Sequence, residues 1–82
     1  MSREEIFEKL SSVLQESFEI KSDAIRPDAR LREDLDLDSI DAVDLMVQFR
    51  PIVGKKLQPE VFKSVKTVDD VVNAMHDLMN SN

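Results

Sequence analysis

Apolar residues fall at helical spacing in three stretches of this chain and scatter between them. Ile6, Leu10, Val13 and Leu14 make the first stripe, the recurrence of an amphipathic helix. Ser2 followed three residues later by Glu5 reads as a capping box, so a helix is expected from Arg3 to Phe18. From Ile20 to Leu37 the pattern is irregular, with Pro27 as a breaker and Ile25, Leu31 and Leu35 as isolated apolar pegs. A connection of that length is unusual inside a small domain, and the pegs are expected to tie it across the bundle.

A second helix is expected from Ser39 to about Phe49. Asp38 is a suitable N-cap, and acidic residues in the first turn suit the helix dipole. Steps of about 100° per residue divide this helix into three faces. Ala42, Leu45, Met46 and Phe49 form a core face; Asp41, Asp44 and Gln48 form a polar stripe; Ile40, Val43 and Val47 form a second apolar stripe beside the acids. Core packing would account for that second stripe, and so would a docking surface. Pro51 and Gly54 are expected to end the helix. Pro59 opens a short third helix around Glu60 to Lys63. Thr67 with Asp70 caps a fourth over Val68 to Met79, with a stripe of Val68, Val71, Val72, Met75, Leu78 and Met79. Nothing reads as a strand, a repeat or a domain boundary. The expectation is an all-α fold, a small four-helix bundle with three longer helices, one short one and a long first loop, in a single domain spanning 1–82.

Composition sharpens this picture. The 82 residues are 41% hydrophobic and 34% charged, globular rather than disordered. Four Phe are the only aromatic residues, so the core is aliphatic and Met-bearing, hence deformable. The chain has no cysteine, which fits a reducing compartment. It has no apolar run of membrane-spanning length and no signal-peptide core behind Met1. A cytoplasmic, free-standing protein is the expectation.

The net charge of −6 argues against nucleic acid as a partner. Its distribution says more. Glu33 to Asp44 holds six acidic residues and no basic one. Leu45 to Lys66 holds Arg50, Lys55, Lys56, Lys63 and Lys66 against Glu60 alone. Such asymmetry would steer a basic partner toward the acidic segment, although two solvated faces would carry the same charges.

That acidic segment encloses a serine, in Asp36-Leu37-Asp38-Ser39-Ile40-Asp41. A calcium loop starting at Asp34 fails on inspection. Its sixth position needs glycine and its twelfth a bidentate glutamate, and these are Ser39 and Leu45. A serine nucleophile needs a base within reach, and the one histidine, His76, falls off the apolar stripe of the last helix as a solvated surface residue. The carboxylates lack an apolar pocket to raise their pKa values. What remains is a serine at a helix N-terminus, where a phosphodiester would be favoured by unpaired N–H groups and the dipole; as a plain sequence feature, Ser39 could equally help cap the helix.

With its lead-in Glu33-Asp34-Leu35-Asp36-Leu37, the segment Asp38-Ser39-Ile40-Asp41 resembles the attachment motif of the acyl carrier protein family. The resemblance continues through Val43, Asp44 and Leu45 to Thr67-Val68-Asp69-Asp70-Val71 and covers nearly the whole chain. It implies a discrete, non-catalytic carrier whose Ser39 receives 4′-phosphopantetheine from coenzyme A through a separate phosphopantetheinyl transferase, and whose cofactor thiol holds acyl groups as thioesters. By similarity Asp38 orients the attachment site. Asp36, Asp41 and Asp44, with Ile40, Val43 and Val47, would face basic docking patches on the transferase, on ketosynthases and reductases, and on other acyl-processing enzymes. Val43, Met46, Phe62, Val65 and Met75 would line the space that shelters the acyl chain. No metal ligand is implied, and a monomer is expected.

Two departures from the family pattern stand out. Asp36 occupies a position where many members have glycine; aspartate tolerates left-handed backbone better than most residues. Arg50-Pro51 replaces an acidic pair in the second helix, reversing a charge and introducing a helix breaker. Both favour a dedicated carrier of a specialised pathway, polyketide-like, aryl polyene, modified-lipid or otherwise fatty-acid-like, over the general fatty-acid one. A carrier of aminoacyl groups such as D-alanine remains an alternative, though the Gly-Gly-x-Ser motif usual in peptidyl carriers is missing. So does an unmodified helical adaptor for a basic partner.

Overall fold

The computed structural model describes residues 2–54, 57 and 59–80; Met1, Lys55 and Lys56 of the readings above lie outside them. Four α-helices follow in order: α1 (Arg3–Phe18), α2 (Ser39–Val53), α3 (Pro59–Ser64) and α4 (Val68–Met79). A short 3-10 turn, Ser22–Ala24, interrupts the first loop. Three of the four helices are long and no strand occurs among the described residues.

Local chemistry explains where the helices begin. At α1, the Glu5 amide donates to the Ser2 hydroxyl at 3.2 Å and the Ser2 amide to the Glu5 carboxylate at 3.0 Å. The same reciprocal pair recurs at α4 between Thr67 and Asp70. Each pair satisfies two of the donors that a helix start leaves without partners. The expected bounds of α1 and α4 match the structure.

The end of α2 differs from expectation. The helix runs through Pro51 to Val53 and stops at Gly54, whose φ of 94° leaves helical space. Pro51 removes only the N–H that would reach the Val47 carbonyl, and both residues are exposed, so water can serve that carbonyl. Continuing the helix brings Ile52 and Val53 against the core. Burial of two apolar side chains outweighs one solvent-accessible hydrogen bond.

Ile6, Leu10, Val13 and Leu14 of α1, Leu45, Met46 and Phe49 of α2, and Val68, Val71, Val72 and Met75 of α4 are buried. Leu78 and Met79 only pack against the margin of this cluster. The helix α1 packs chiefly against α4, with α2 and the short α3 completing the bundle. The hydroxyl of Ser17 donates to Gln48 Oε1 at 3.2 Å, a polar tie from α1 to α2. No polar or charged side chain is buried among the described residues.

The first loop is sewn to the junction before α4. Leu31 N–H donates to the Lys66 carbonyl at 2.9 Å, Val68 N–H to Ala29 at 3.0 Å, and Asp69 N–H to Pro27 at 2.9 Å. Arg30 and Thr67 form an isolated antiparallel bridge. Ile25 and Leu35 are buried as expected, Leu31 is partly so, and Ala29, Leu37 and Leu57 join the core as well.

Candidate functional site: the start of helix α2

The lead-in to α2 alternates leucine and aspartate, and the backbone sorts them. Leu35 and Leu37 are buried while Asp34, Asp36 and Asp38 are exposed. The loop closes on itself here, with Leu35 N–H donating to the Arg30 carbonyl at 3.1 Å and Leu37 N–H to Leu31 at 2.8 Å. The Asp34 carboxylate accepts the Arg30 N–H at 2.8 Å. Between the leucines Asp36 takes a φ of 56°, in the left-handed region. The turn therefore needs a residue that tolerates that region, and aspartate meets the need.

Asp38 is the N-cap. Its carboxylate accepts from the Asp41 N–H at 2.9 Å, and the Asp41 carboxylate accepts from the Asp38 N–H at 3.2 Å. The second half of this box was missed in the sequence, where Asp41 counted as a dipole-favouring acid and a docking residue but not as a capping partner. The signal was present, as two acids three residues apart at a helix start, but glutamate or glutamine is usual at the later position.

Ser39 is the first helical residue, fully outside the core, and its hydroxyl takes no part in the cap. The alternative of Ser39 as a capping residue is thereby replaced by Asp38. Beyond it, the Asp41 N–H goes to the Asp38 carboxylate and the Ala42 N–H to the Asp38 carbonyl at 3.0 Å. The amides of Ser39 and Ile40 precede any intrahelical acceptor and take no partner among the described residues. An exposed hydroxyl beside two such amides at the positive end of a fifteen-residue helix fits a phosphodiester on that oxygen.

Downstream of Ser39, α2 turns its second apolar stripe to solvent. Ile40 is 75% exposed, Val43 50% and Val47 55%. They are the large hydrophobic side chains most exposed among the described residues, which settles the ambiguity between core and surface. Asp44 beside them is exposed and Asp41 partly so. The ion pair seen among the described residues is a long one, Arg26 to Asp28 at 4.0 Å, away from this face.

Met46 and Met75 lie inside the core cluster, and Phe62 and Val65 pack against it. Val43 stands apart from these four, on the outer stripe. A shallow open depression of about 260 Å³ lies elsewhere, lined by Phe7, Glu8, Ser11, Ser12, Gln15 and Glu16 of α1. His76 sits in the last turn of α4 and is partly buried rather than solvated. Among the described residues, no three His, Cys, Asp or Glu side chains gather in a way that could hold a metal ion, and no helix is long and apolar enough to cross a membrane.

Comparison with known proteins meets the same segment. Residues 8–75 match the model of the phosphopantetheine attachment site family. The chain is 47% identical over 79 residues to acyl carrier protein 2 of Ralstonia nicotianae, covering 96% of this chain and 98% of that protein. It is 35% identical over 82 residues to an acyl carrier protein of Coprothermobacter proteolyticus, covering 100% and 95%. With an acyl carrier protein of Petrotoga mobilis it shares 31% identity over 80 residues, covering 98% and 94%. The prosthetic group implied is 4′-phosphopantetheine. With its helical fold and a serine at the head of α2, this chain belongs to the acyl carrier protein family.

Proposed function

We propose that Ser39 is the attachment point of 4′-phosphopantetheine and that the protein is a non-catalytic, cytoplasmic carrier serving separate acyl-processing enzymes. The observation that carries this reading is the state of the Ser39 hydroxyl, exposed at the head of α2 and free of the cap that Asp38 and Asp41 make around it. When attached, the arm supplies a thiol that holds an acyl group as a thioester. The chain's own residues present and position that arm. Asp38 fixes the first turn, so the Ser39 oxygen leaves the helix in a set direction. The amides of Ser39 and Ile40 would be the donors available to the arm's phosphate.

Ile40, Val43 and Val47, bordered by Asp36, Asp41 and Asp44, are the docking face for partners with basic patches, the phosphopantetheinyl transferase and ketosynthases foremost. The exposed aliphatic stripe gives contact area and the acids give orientation and encounter rate. Met46, Phe62, Val65 and Met75 meet in one deformable apolar cluster that can yield to an acyl guest. Val43, by its exposure, belongs to docking rather than to that lining. The pathway we favour is a specialised one, polyketide-like or of modified lipids, because Arg50 and Pro51 alter the far end of the same face.

The test is intact mass after incubation with coenzyme A and a broad-specificity phosphopantetheinyl transferase, with Ser39→Ala alongside. One added phosphopantetheine group on the wild type and none on the variant is the expected result. Because Asp38 makes the cap, Ser39→Ala should keep its helical circular dichroism and thermal midpoint. A folded, unmodified wild type that gains no mass with several competent transferases would turn the reading toward a helical adaptor.

A further inference from the structure

The docking face of α2 is longer than its acidic part and changes sign along its length. Residues spaced about 100° apart place Pro51 in line with Ile40 and Val47, so the exposed apolar stripe extends to the last turn. Pro51 and Arg50 are both exposed. Arg50 stands on the edge of the stripe opposite Asp41 and Asp44, next to Val43 and Val47 in projection. With a rise of about 1.5 Å per residue, it lies about 9 Å beyond Asp44 along the helix and about 14 Å beyond Asp41. It makes no ion pair among the described residues.

From this arrangement we infer that Arg50 is a specificity-determining residue, one that selects a partner with an acidic group facing the far end of α2 and basic groups facing its start. The inference rests on the carrier reading of Ser39 and adds the charge pattern of the enzyme that docks there. A patch that is basic throughout meets attraction at Asp41 and Asp44 and repulsion at Arg50. A patch with a carboxylate at the second position meets attraction at both. Specificity commonly depends on such a repulsive element as well as on attractive ones. A cation in the last turn also complements the helix dipole, but that role is indifferent to which partner approaches.

The two roles separate in one experiment. The full-length chain and its Arg50→Glu, Arg50→Gln and Arg50→Lys variants are loaded on Ser39 with a pantetheine analogue bearing a thiol-reactive group, and loading is confirmed by mass. Each is then offered to a purified fatty-acid ketosynthase whose docking patch is uniformly Lys and Arg, and the rate of covalent capture is measured. A single exposed charge pair changes affinity by roughly two- to fivefold. Arg50→Glu, which removes a repulsion and adds an attraction, should therefore raise capture about tenfold at low salt. Arg50→Gln should fall between, and Arg50→Lys should match the wild type. The gain should shrink in high salt as screening shortens the reach of the charges.

A dipole role predicts no gain for Arg50→Glu. Equal or slower capture of that variant after equal loading overturns the assignment of Arg50 and leaves the carrier reading intact, and so does a failure to capture either form. Failure of all four chains to load at Ser39 overturns the carrier reading itself, and the inference with it.

Discussion

Asp70 holds the junction to which the first loop is sewn, and its removal should loosen both. Its carboxylate accepts the amides of Lys66 at 3.1 Å and Thr67 at 3.2 Å, while its own amide donates to the Thr67 hydroxyl at 3.1 Å. The segment it orders makes three backbone bonds with Pro27, Ala29 and Leu31. The bond from the amide of residue 70 to the Thr67 hydroxyl survives in Asp70→Ala, but loss of the carboxylate's charge-assisted half of the capping box costs about 1 kcal/mol. The amide of Lys66 is exposed and water can take it over, whereas the Thr67 amide is partly buried and adds up to about 1 kcal/mol if left unpaired. Asp70→Ala should thus lower stability by about 1–2 kcal/mol, roughly 4–16 °C in thermal midpoint for a domain of this size.

The two backbone amides, Lys66 first and Thr67 second, also hold the Asp70 carboxyl below its usual pKa. A carboxyl depressed in the folded state stabilises above its unfolded pKa, near about 4, and that stability is lost as pH falls through the folded value. Asp70→Asn keeps an acceptor but no charge. Its deficit against the wild type should be full near neutral pH and should close below about pH 4. Urea denaturation followed by circular dichroism across that range reads both effects. An Asp70→Ala deficit under about 0.3 kcal/mol, small even for an ordinary surface change, would refute the reasoning. A deficit of Asp70→Asn that is constant with pH would refute its electrostatic half.

At the left-handed Asp36, glycine should be neutral or stabilising by up to about 1 kcal/mol, and valine should cost about 1–2 kcal/mol; thermal melts of the two variants check the order. Phe49, fully buried at the centre of the core, should lose about 3–5 kcal/mol as Phe49→Ala, a large share of the stability of a small domain, and urea melts should show it partly unfolded at 37 °C. Asp44→Lys should slow transferase coupling with a stability change within about 0.5 kcal/mol. Asp41→Lys should slow it too but also cost about 1 kcal/mol, because the Asp41 carboxylate accepts the Asp38 amide in the capping box of α2; comparing coupling rates with melts distinguishes the two.

Those last two variants illustrate what the chain revealed before its fold was seen. Features written in neighbouring residues were legible: the capping pairs Ser2–Glu5 and Thr67–Asp70, the cap Asp38, the stripes of α1 and α4, and the tolerance of Asp36 for its turn. Ser39 and the stripe of Ile40, Val43 and Val47 could be singled out for the same reason, since a helix projection needs only local sequence, but whether that stripe meets core or solvent could not be read from it. The reach of α2 past Pro51 was not legible, because it turns on whether Ile52 and Val53 find a core to enter. Neither was the burial of Ala29, whose carbonyl accepts from Val68 in a distant segment, nor that of Leu37 and Leu57, which depends on how the helices close over them. Glu19 takes a left-handed φ of 57° at the end of α1, and nothing in a glutamate announces it.

The division of labour at the head of α2 has a thermodynamic consequence. Asp38 and Asp41 close the helix from either side of Ser39 without using its hydroxyl, so a substituent on that oxygen breaks no bond on which folding depends. A group bound equally by two states shifts no equilibrium between them. The phosphate is common to the arm with and without its acyl group, so its favourable interaction with the head of α2 cancels between the two, and any difference in stability between them measures how far the cargo has moved inside.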